Sequence, residues 1–157
     1  VEEVVYEGFV PGGIAVIVEA VTDNPNRTTS EIKSLFGKYG ASLATPGAVS
    51  YQFENVGEIA VAKNNKSLDE MLMIAADAGA EDVLEDSEGF TIYTGPSQLS
   101  KVKDSLEKQG IEIEEAFLSK KAMTKVTLDP SKEEAVLGLL QTLESLEDVQ
   151  KVYTNIS

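Results

Sequence analysis

The sequence contains neither cysteine nor histidine among its 157 residues. Without cysteine the chain can form no disulfide and no thiolate metal site, and it has no cysteine nucleophile, a composition that suits the cytoplasm. Without histidine it lacks the usual general base near neutral pH and the commonest transition-metal ligand. These two absences exclude most hydrolase mechanisms, and we expect neither an enzyme nor a bound cofactor.

Long apolar runs are also absent. The longest one, residues 14–21, is interrupted by Glu19 and is far shorter than the roughly 18–20 residues that a membrane span needs. The first residues carry glutamates where a secretory signal would carry positive charge. We therefore expect a soluble, cytoplasmic protein without a membrane partner.

Basic residues are scarce, with 13 Lys and Arg against 27 Asp and Glu, so the net charge is −14. Nucleic acids are commonly held by clustered Lys and Arg side chains that contact phosphates. Any nucleic-acid contact of this chain must therefore be local or be supplied elsewhere. The first predicted helix carries the candidates for a local positive patch, which are Arg27, Lys33 and Lys38.

The densest acidic run is the one feature that hints at a divalent cation. It comprises Glu81, Asp82, Glu85, Asp86 and Glu88. Its spacing does not match that of a calcium-binding hand, whose ligands recur at fixed positions of a loop. Because runs of charge usually form a solvated edge, we favour that interpretation and predict no metal site.

Apolar residues at helical spacing predict four helices, and glycine ends the first three of them. The predicted starts are the capping boxes Thr28 with Glu31 and Ser67 with Glu70, then Pro96, then Asp129 with Pro130. The predicted ends are Gly40, Gly79 and Gly110. The core-facing positions are Ile32, Leu35, Phe36, Tyr39, Leu68, Met71, Leu72, Ala75, Leu99, Val102, Leu106, Val136, Leu139, Leu140 and Leu143.

Strand-like segments lie between these helices. Residues 49–54 alternate between apolar and polar side chains, which is typical of a half-buried strand. Residues 14–21 are apolar at nearly every position, and this pattern predicts a central strand. The predicted strands are residues 14–21, 49–54, 58–62, 82–85, 90–94, 111–117, 123–128 and 149–153.

The order of these elements predicts two domains. Residues 56–121 read βαββαβ, a complete ferredoxin-like unit, and residues 1–55 and 122–157 supply the two halves of a second unit. We therefore predict an α+β protein with two ferredoxin-like α/β domains, one inserted into the other at an exposed hairpin. A rival topology has two consecutive domains, with residues 122–157 packed on the middle segment. With 13 acidic and 6 basic residues outside the insert, and 14 and 7 inside it, each predicted domain carries −7.

The stretch YEGFVPGGIAVIVEAVTDNPNRT, residues 6–28, combines a turn, an apolar run and a polar loop. Pro11 stiffens the chain, and Gly12 and Gly13 permit backbone angles or close approaches that a side chain would block. The polar loop leads into a capped helix, and phosphate can bind at such a helix start. Because the glycines precede the strand, this is not a dinucleotide or P-loop motif. Local chemistry alone favours a turn followed by a cap.

The same stretch, continued to residue 57, resembles the YebC/PmpR family, together with GFTIYT, VTLDP and DVQKVYTNI further along. That family includes mitochondrial relatives that activate translation of a cytochrome oxidase subunit. The resemblance covers nearly the whole chain, with two departures. The family usually has Tyr-Gly-Pro-Gly-Gly where this chain has FVPGG at residues 9–13, and often Gly-Thr-Ser-Gly-Ser where this chain has ATPGA at residues 44–48.

The resemblance implies a non-enzymatic regulator of gene expression. Family members resemble three-domain proteins with a basic, helical N-terminal domain ahead of this motif, and we expect that domain to be missing here, which would account for the acidity. The family has long been described as DNA-binding transcriptional regulators, and some members as translation factors that help the ribosome at proline runs. The implied partner is therefore DNA or the ribosome with its RNA.

Seven residues are predicted to contact nucleic acid or a partner on this interpretation. They are Pro11, Gly12, Gly13, Asn24, Asn26, Arg27 and Lys33. We rank Arg27 first, and its purely structural role would be an exposed ion pair with Glu31, four positions on.

Two other classes of function stay open. The alternative is a small-molecule-sensing regulatory α/β module, since ferredoxin-like units often bind ligands at a sheet or a domain interface. An enzyme would need Tyr6, Glu7, Asp23 and Arg27 to share a site, and no acid and base stand at a motif spacing. We place the enzyme last.

Overall fold

The structure, a computed structural model, describes residues 1–157 and divides them into two units. The first unit is formed by Val1–Glu54 together with Lys121–Ser157, and the second by Asn55–Lys120. The elements are β1 (Glu2–Val10), β2 (Ile14–Thr22), α1 (Pro25–Lys38), β3 (Ser42–Ala44), β4 (Phe53–Ala62), α2 (Leu68–Ala78), β5 (Asp82–Asp86), β6 (Gly89–Thr94), α3 (Leu99–Lys108), β7 (Ile113–Ala122), α4 (Glu133–Ser145) and β8 (Val149–Thr154).

The first unit is built on a four-stranded sheet in the order β3-β1-β2-β8, and each neighbouring pair is antiparallel. The predicted central strand is confirmed, because β2 lies inside the sheet and is buried on both faces. Its even-numbered residues pack against α1 and α4, in a cluster that includes Ile14, Val16, Val18, Ile32, Phe36, Leu139 and Leu143. Its odd-numbered residues pack on the other face with Val49, Phe53 and Ala122.

The second unit contains a four-stranded sheet in the order β5-β6-β4-β7. Its chain order is βαββαβ, which is that of ferredoxin-like units. The core lies between the sheet and the two helices and contains Ile59, Val61, Met71, Ala75, Val83, Phe90, Ile92, Val102 and Leu106. The edge strands of this sheet are β5 and β7.

The predicted α+β class is confirmed by the two four-stranded sheets and four helices. Like the second unit, the first has a four-stranded sheet and two helices, but its chain order is different: β1-β2-α1-β3 followed by α4-β8. Strand β1 went unpredicted because three glutamates and Gly8 interrupt its apolar pattern. Pairing with β2 along its whole length makes it a strand all the same.

Two predicted strands of the first unit are wrong. Residues 50–52 form a short 3-10 turn, and β4 begins only at Phe53. The physical reason is that a carboxylate on β1 binds the amides of residues 49 and 50, which a strand would need for its ladder. Residues 123–128 form no strand, and Val126 alone makes a parallel bridge to Ile156, through hydrogen bonds with Asn155 and Ser157.

Of the predicted helix starts, some are confirmed and one is wrong. The capping box of Ser67 and Glu70 is confirmed, as is the left-handed glycine that ends α2. The capping box at Thr28 is wrong, because α1 begins at Pro25 with Asn24 as its cap, which places Thr28 inside the first turns. Short 3-10 turns at residues 96–98 and 130–132 precede α3 and α4. No helix combines the length and the apolar character that crossing a bilayer requires.

Candidate nucleic-acid interface

The start of α1 is closed by its own cap. The Asn24 side-chain oxygen accepts a hydrogen bond from the backbone N–H of Arg27 at 3.1 Å. Pro25 occupies the first helical position, where a missing N–H costs nothing. The predicted contact residue Asn24 is therefore a cap, and part of the local amide donor set that a phosphate would use is already satisfied.

Arg27 is surrounded by carboxylates. Its Nη2 donates to Asp23 Oδ1 at 3.0 Å and to Asp148 Oδ2 at 3.1 Å, and its Nε lies 3.9 Å from Glu31 Oε1. The hydrogen bond to Asp148, followed by the one to Asp23, raises the pKa of Arg27. The predicted partner Glu31 is thus the most distant of three. One positive charge faces three negative ones, so Arg27 has no surplus charge to offer a phosphate.

Asp148, the residue before β8, is hydrogen bonded both to α1 and to β2. The buried hydroxyl of Thr28 donates to Asp148 Oδ2 at 3.0 Å and lies 2.8 Å from Thr22 Oγ1. The main-chain oxygen of Asp148 accepts from Val21 N at 2.9 Å. Hydrogen bonds from Arg27 first, and then from Thr28, lower the pKa of Asp148. The residue is therefore a structural tie that the sequence analysis missed, because its partners lie about 120 positions away.

The predicted Pro-Gly-Gly turn is the loop of the β1–β2 hairpin. Val10 pairs with Ile14, so residues 11–13 form the whole connection. Gly12 and Gly13 have φ of 93° and 74°, in the left-handed region that favours glycine. A side-chain carbon on Gly13 would have no neighbour within 4 Å, so the requirement there is one of backbone angle and not of space.

The predicted contact residues fall into two groups at opposite ends of β2. The hairpin loop precedes Ile14, while Asn24, Asn26 and Arg27 follow Thr22. The nine residues of β2, at a rise of about 3.3 Å each, separate the two groups by roughly 27 Å. A ligand that contacts both groups must therefore span the whole length of this strand.

One face of α1 carries polar side chains with no carboxylate partner. Asn26, Ser30 and Lys33 follow one another at i, i+4 and i+7, and all three are exposed. Lys33 takes part in no ion pair, unlike Arg27 and Lys103. Lys38, one turn further on, lies 5.7 Å from the centre of the Tyr39 ring. Of the predicted residues, Lys33 is the cation whose charge is not balanced.

Glu7 has the most constrained carboxylate of the first unit. It is 7% exposed, and it accepts three backbone hydrogen bonds, from Gly47 at 2.7 Å, Val49 at 3.0 Å and Ser50 at 2.6 Å. Burial raises the pKa of Glu7, but the amide donors of Gly47, Ser50 and Val49 outweigh it, so the pKa is lowered. The ionised side chain thereby fixes the segment that leads into β4.

The residues of the hypothetical enzyme site do not come together. Tyr6 and Glu7 are neighbours on a strand, so their side chains point to opposite faces of the sheet. The Tyr6 hydroxyl is hydrogen bonded to Thr29 Oγ1 at 2.9 Å. Arg27 pairs with Asp23, whereas Glu7 is occupied by the amides of residues 47–50. Nowhere along the chain do three acidic side chains converge in a geometry that could hold a metal ion.

Comparison with known proteins shows what this chain is similar to. It is 50% identical over 156 residues to a probable transcriptional regulatory protein of Sulfurihydrogenibium sp., covering 98% of this chain and 62% of that protein. It is 49% identical over 156 residues to a probable transcriptional regulatory protein of Acetivibrio thermocellus, covering 98% of this chain and 64% of that one. The chain therefore spans less than two thirds of the length of these relatives.

A solved structure shares the fold. The crystal structure of a conserved hypothetical protein from Aquifex aeolicus superposes with a TM-score of 0.91 at 46% sequence identity, covering 99% of this chain and 65% of that one. The family model described as the second and third domain of TACO1/YebC matches residues 1–156. The chain therefore belongs to the TACO1/YebC family and corresponds to the second and third domains of its members.

Proposed function

We propose that this chain belongs to a non-enzymatic regulator of gene expression that works in association with nucleic acid. The family and the names of the two relatives support this proposal. Its nucleic-acid target is DNA if it acts as a transcriptional regulator, or the ribosome if it acts as a translation factor.

The observation that carries this proposal is that the charge of Arg27 is balanced by neighbouring carboxylates. Its charge is balanced by Asp23 and Asp148, in a chain whose net charge is −14. Phosphate binding depends on unbalanced Lys and Arg charge. We therefore propose that most of the nucleic-acid affinity comes from the rest of the protein, and that this chain adds local contacts.

The local contacts that we propose come from two places. One is the exposed face of α1 that carries Asn26 and Lys33, next to Asn24 and Arg27. The other is the hairpin loop, where Gly12 and Gly13 expose backbone groups beside Pro11. The hairpin loop is uncharged and the α1 face has one unbalanced cation, Lys33, so both places suit positioning on a nucleic-acid backbone better than tight binding.

Two experiments test the proposal at its two levels. The chain alone should bind duplex DNA poorly at physiological salt, and sub-micromolar specific binding would contradict the charge argument. For a full-length relative, co-sedimentation with ribosomes is compared with titration of promoter DNA, both across a range of salt concentrations. Ribosome association without specific DNA binding would remove the transcriptional assignment, and the reverse would remove the ribosomal one.

Lys33→Glu in the full-length protein tests the local contacts. We expect it to weaken nucleic-acid or ribosome binding several-fold and to reduce the slope of binding against salt by about one. The matched control is Lys108→Glu, which reverses another exposed lysine that takes part in no ion pair, on α3. Equal losses in the two variants would point to net charge, and would leave the α1 face without a role.

A further inference from the structure

The second unit carries a groove between α3 and the outer edge of β7. The groove has a volume of about 680 Å³. On one side it is lined by Pro96 of the 3-10 turn and by Ser100, Lys103 and Glu107 of α3, and on the other side by the strand, over residues 113–118. The three residues of α3 are three or four positions apart, so they lie on one face of the helix. The groove therefore runs along the strand.

The strand beside the groove is an edge strand of its sheet. β7 has ten residues and a single neighbour, β4, in the sheet. An edge strand presents N–H and C=O groups on its free side that can pair with another chain. Native edges are usually short or are protected by proline or a covering element, but this one is long and borders an open groove. It is a template for an added strand.

The side chains that line the groove indicate which kind of peptide strand could bind there. Its apolar side chains include Leu99, Ile113 and Leu118, of which Leu118 is 62% exposed. Its rim carries three carboxylates and one lysine, and that lysine, Lys103, lies 3.8 Å from Glu107. The charge left unbalanced is that of the neighbouring pair Glu114 and Glu115, both of which are exposed.

We propose that this groove binds an extended segment of a partner protein, which adds to β7 as a fifth strand and carries apolar residues alternating with Lys or Arg. From residue 96 to residue 107, the 3-10 turn and the helix together extend about 18 Å, at rises of about 2.0 and about 1.5 Å per residue. At about 3.3 Å per strand residue, that length fits roughly five residues of the partner. Main-chain pairing supplies the affinity. The groove selects the apolar side chains on its face of the sheet, and whichever of Glu114 and Glu115 points to the opposite face selects the Lys or Arg side chains, since neighbours on a strand point to opposite faces.

A second copy of this chain is a poorer occupant than a separate peptide. The basic part of β7, at Lys120 and Lys121, would be the complement of Glu114 and Glu115. Ser119 and Ala122, on either side of it, are nearly buried, which leaves little of that part of the edge open to a second copy. The open part of the edge is the acidic part, so the complement has to come from another protein.

The test is a selection of random octapeptides displayed on phage against the immobilised chain. We expect enrichment of peptides in which apolar residues alternate with Lys or Arg. The best of them, made synthetically, should bind in solution and shift the amide resonances of residues 113–118 and 97–107. Alternate N-methylation of the peptide backbone, which removes the pairing N–H groups, should weaken binding at least tenfold.

A pair of charge-reversed variants completes the test. Glu114→Lys with Glu115→Lys should weaken binding at least tenfold. The matched control, Glu133→Lys with Glu134→Lys, reverses two adjacent exposed glutamates in the first turn of α4 and should leave binding unchanged. No enrichment, amide shifts elsewhere, equal effects of both pairs, or a stable dimer through β7 in sedimentation would each overturn the proposal.

Discussion

Thr28 donates a hydrogen bond to the carboxylate of Asp148 at 3.0 Å, across 120 positions of sequence. This contact ties the first turns of α1 to the residue immediately before β8. Because Thr28 is 1% exposed and Thr22 is 2% exposed, neither hydroxyl can turn to water instead. The tie therefore contributes to the stability of the first unit in a way that a single substitution can measure.

Thr28→Val removes the hydroxyl and keeps the shape of the side chain. We expect the free energy of unfolding to fall by about 1–2 kcal/mol, because the buried oxygen of Thr22 loses a partner. Urea denaturation measures the change. Ser30→Ala, on the exposed side of the same helix, is the control and should change stability by less than about 0.5 kcal/mol. Equal effects of the two substitutions would contradict the proposed tie.

Glu7→Gln leaves a side chain of the same size but replaces one acceptor oxygen with a donor. At least one of the amides of Gly47, Val49 and Ser50 then loses its acceptor inside the protein. We expect a loss of about 2–3 kcal/mol in the free energy of unfolding, with faster hydrogen exchange at these three amides. Glu3→Gln, on an exposed part of the same strand, should have little effect. Unchanged exchange in the Glu7 variant would refute the assigned contacts.

The stability of the protein should depend on pH through Glu7. Its folded-state pKa lies below the ordinary value of 4.5, so its stabilising contribution is complete above that value and is lost as the pH falls through the folded-state pKa. The difference in free energy of unfolding between the wild type and Glu7→Gln should therefore shrink as the pH is lowered from about 6 to about 3. Urea unfolding at each pH measures it, and a difference that stays constant would refute this linkage.

Two glycine substitutions should have opposite signs. Gly13→Ala places a side chain at a φ of 74° and should cost about 1 kcal/mol of stability, although no neighbour lies within 4 Å. Gly37→Ala sits in helix α1, also with no neighbour within 4 Å, and should stabilise the protein by up to about 1 kcal/mol. Thermal unfolding of both variants measures the two changes. A neutral or stabilising effect of Gly13→Ala would show that the hairpin loop does not require glycine at this position.

The parts of the fold that local chemistry decides were predictable from the sequence. The capping box at Ser67, the helix that ends at Gly79 and the central strand β2 each depend on neighbours in sequence or on one clear apolar run. The start of α1 was misplaced by four residues, because Asn24 and Pro25 form a cap that competes with the Thr28 pattern. Strand β1 was missed because only its partner β2, and not its own pattern, makes it a strand.

The candidate site was less predictable, because its character is set by residues far apart in sequence. Arg27 was ranked first for its charge, yet Asp148 balances that charge from 121 positions away. Glu7 was considered only as part of an enzyme, since the three amides that hold it come 40 to 43 residues later. No local sequence pattern predicts the contact of Arg27 with Asp148 or the contacts of Glu7 with these amides.

The pairing of β8 with β2 has a consequence for how the chain folds. Asn155 accepts a hydrogen bond from Ala15 across 140 residues, and all of the second unit lies between these two positions in sequence. Closing such a long loop is slow, whereas the second unit assembles from contacts within 66 residues. Refolding should therefore have two kinetic phases, with the amides of β4 and β6 protected in the first phase. In the sheet of the first unit, β8 would pair with β2 only in the second kinetic phase.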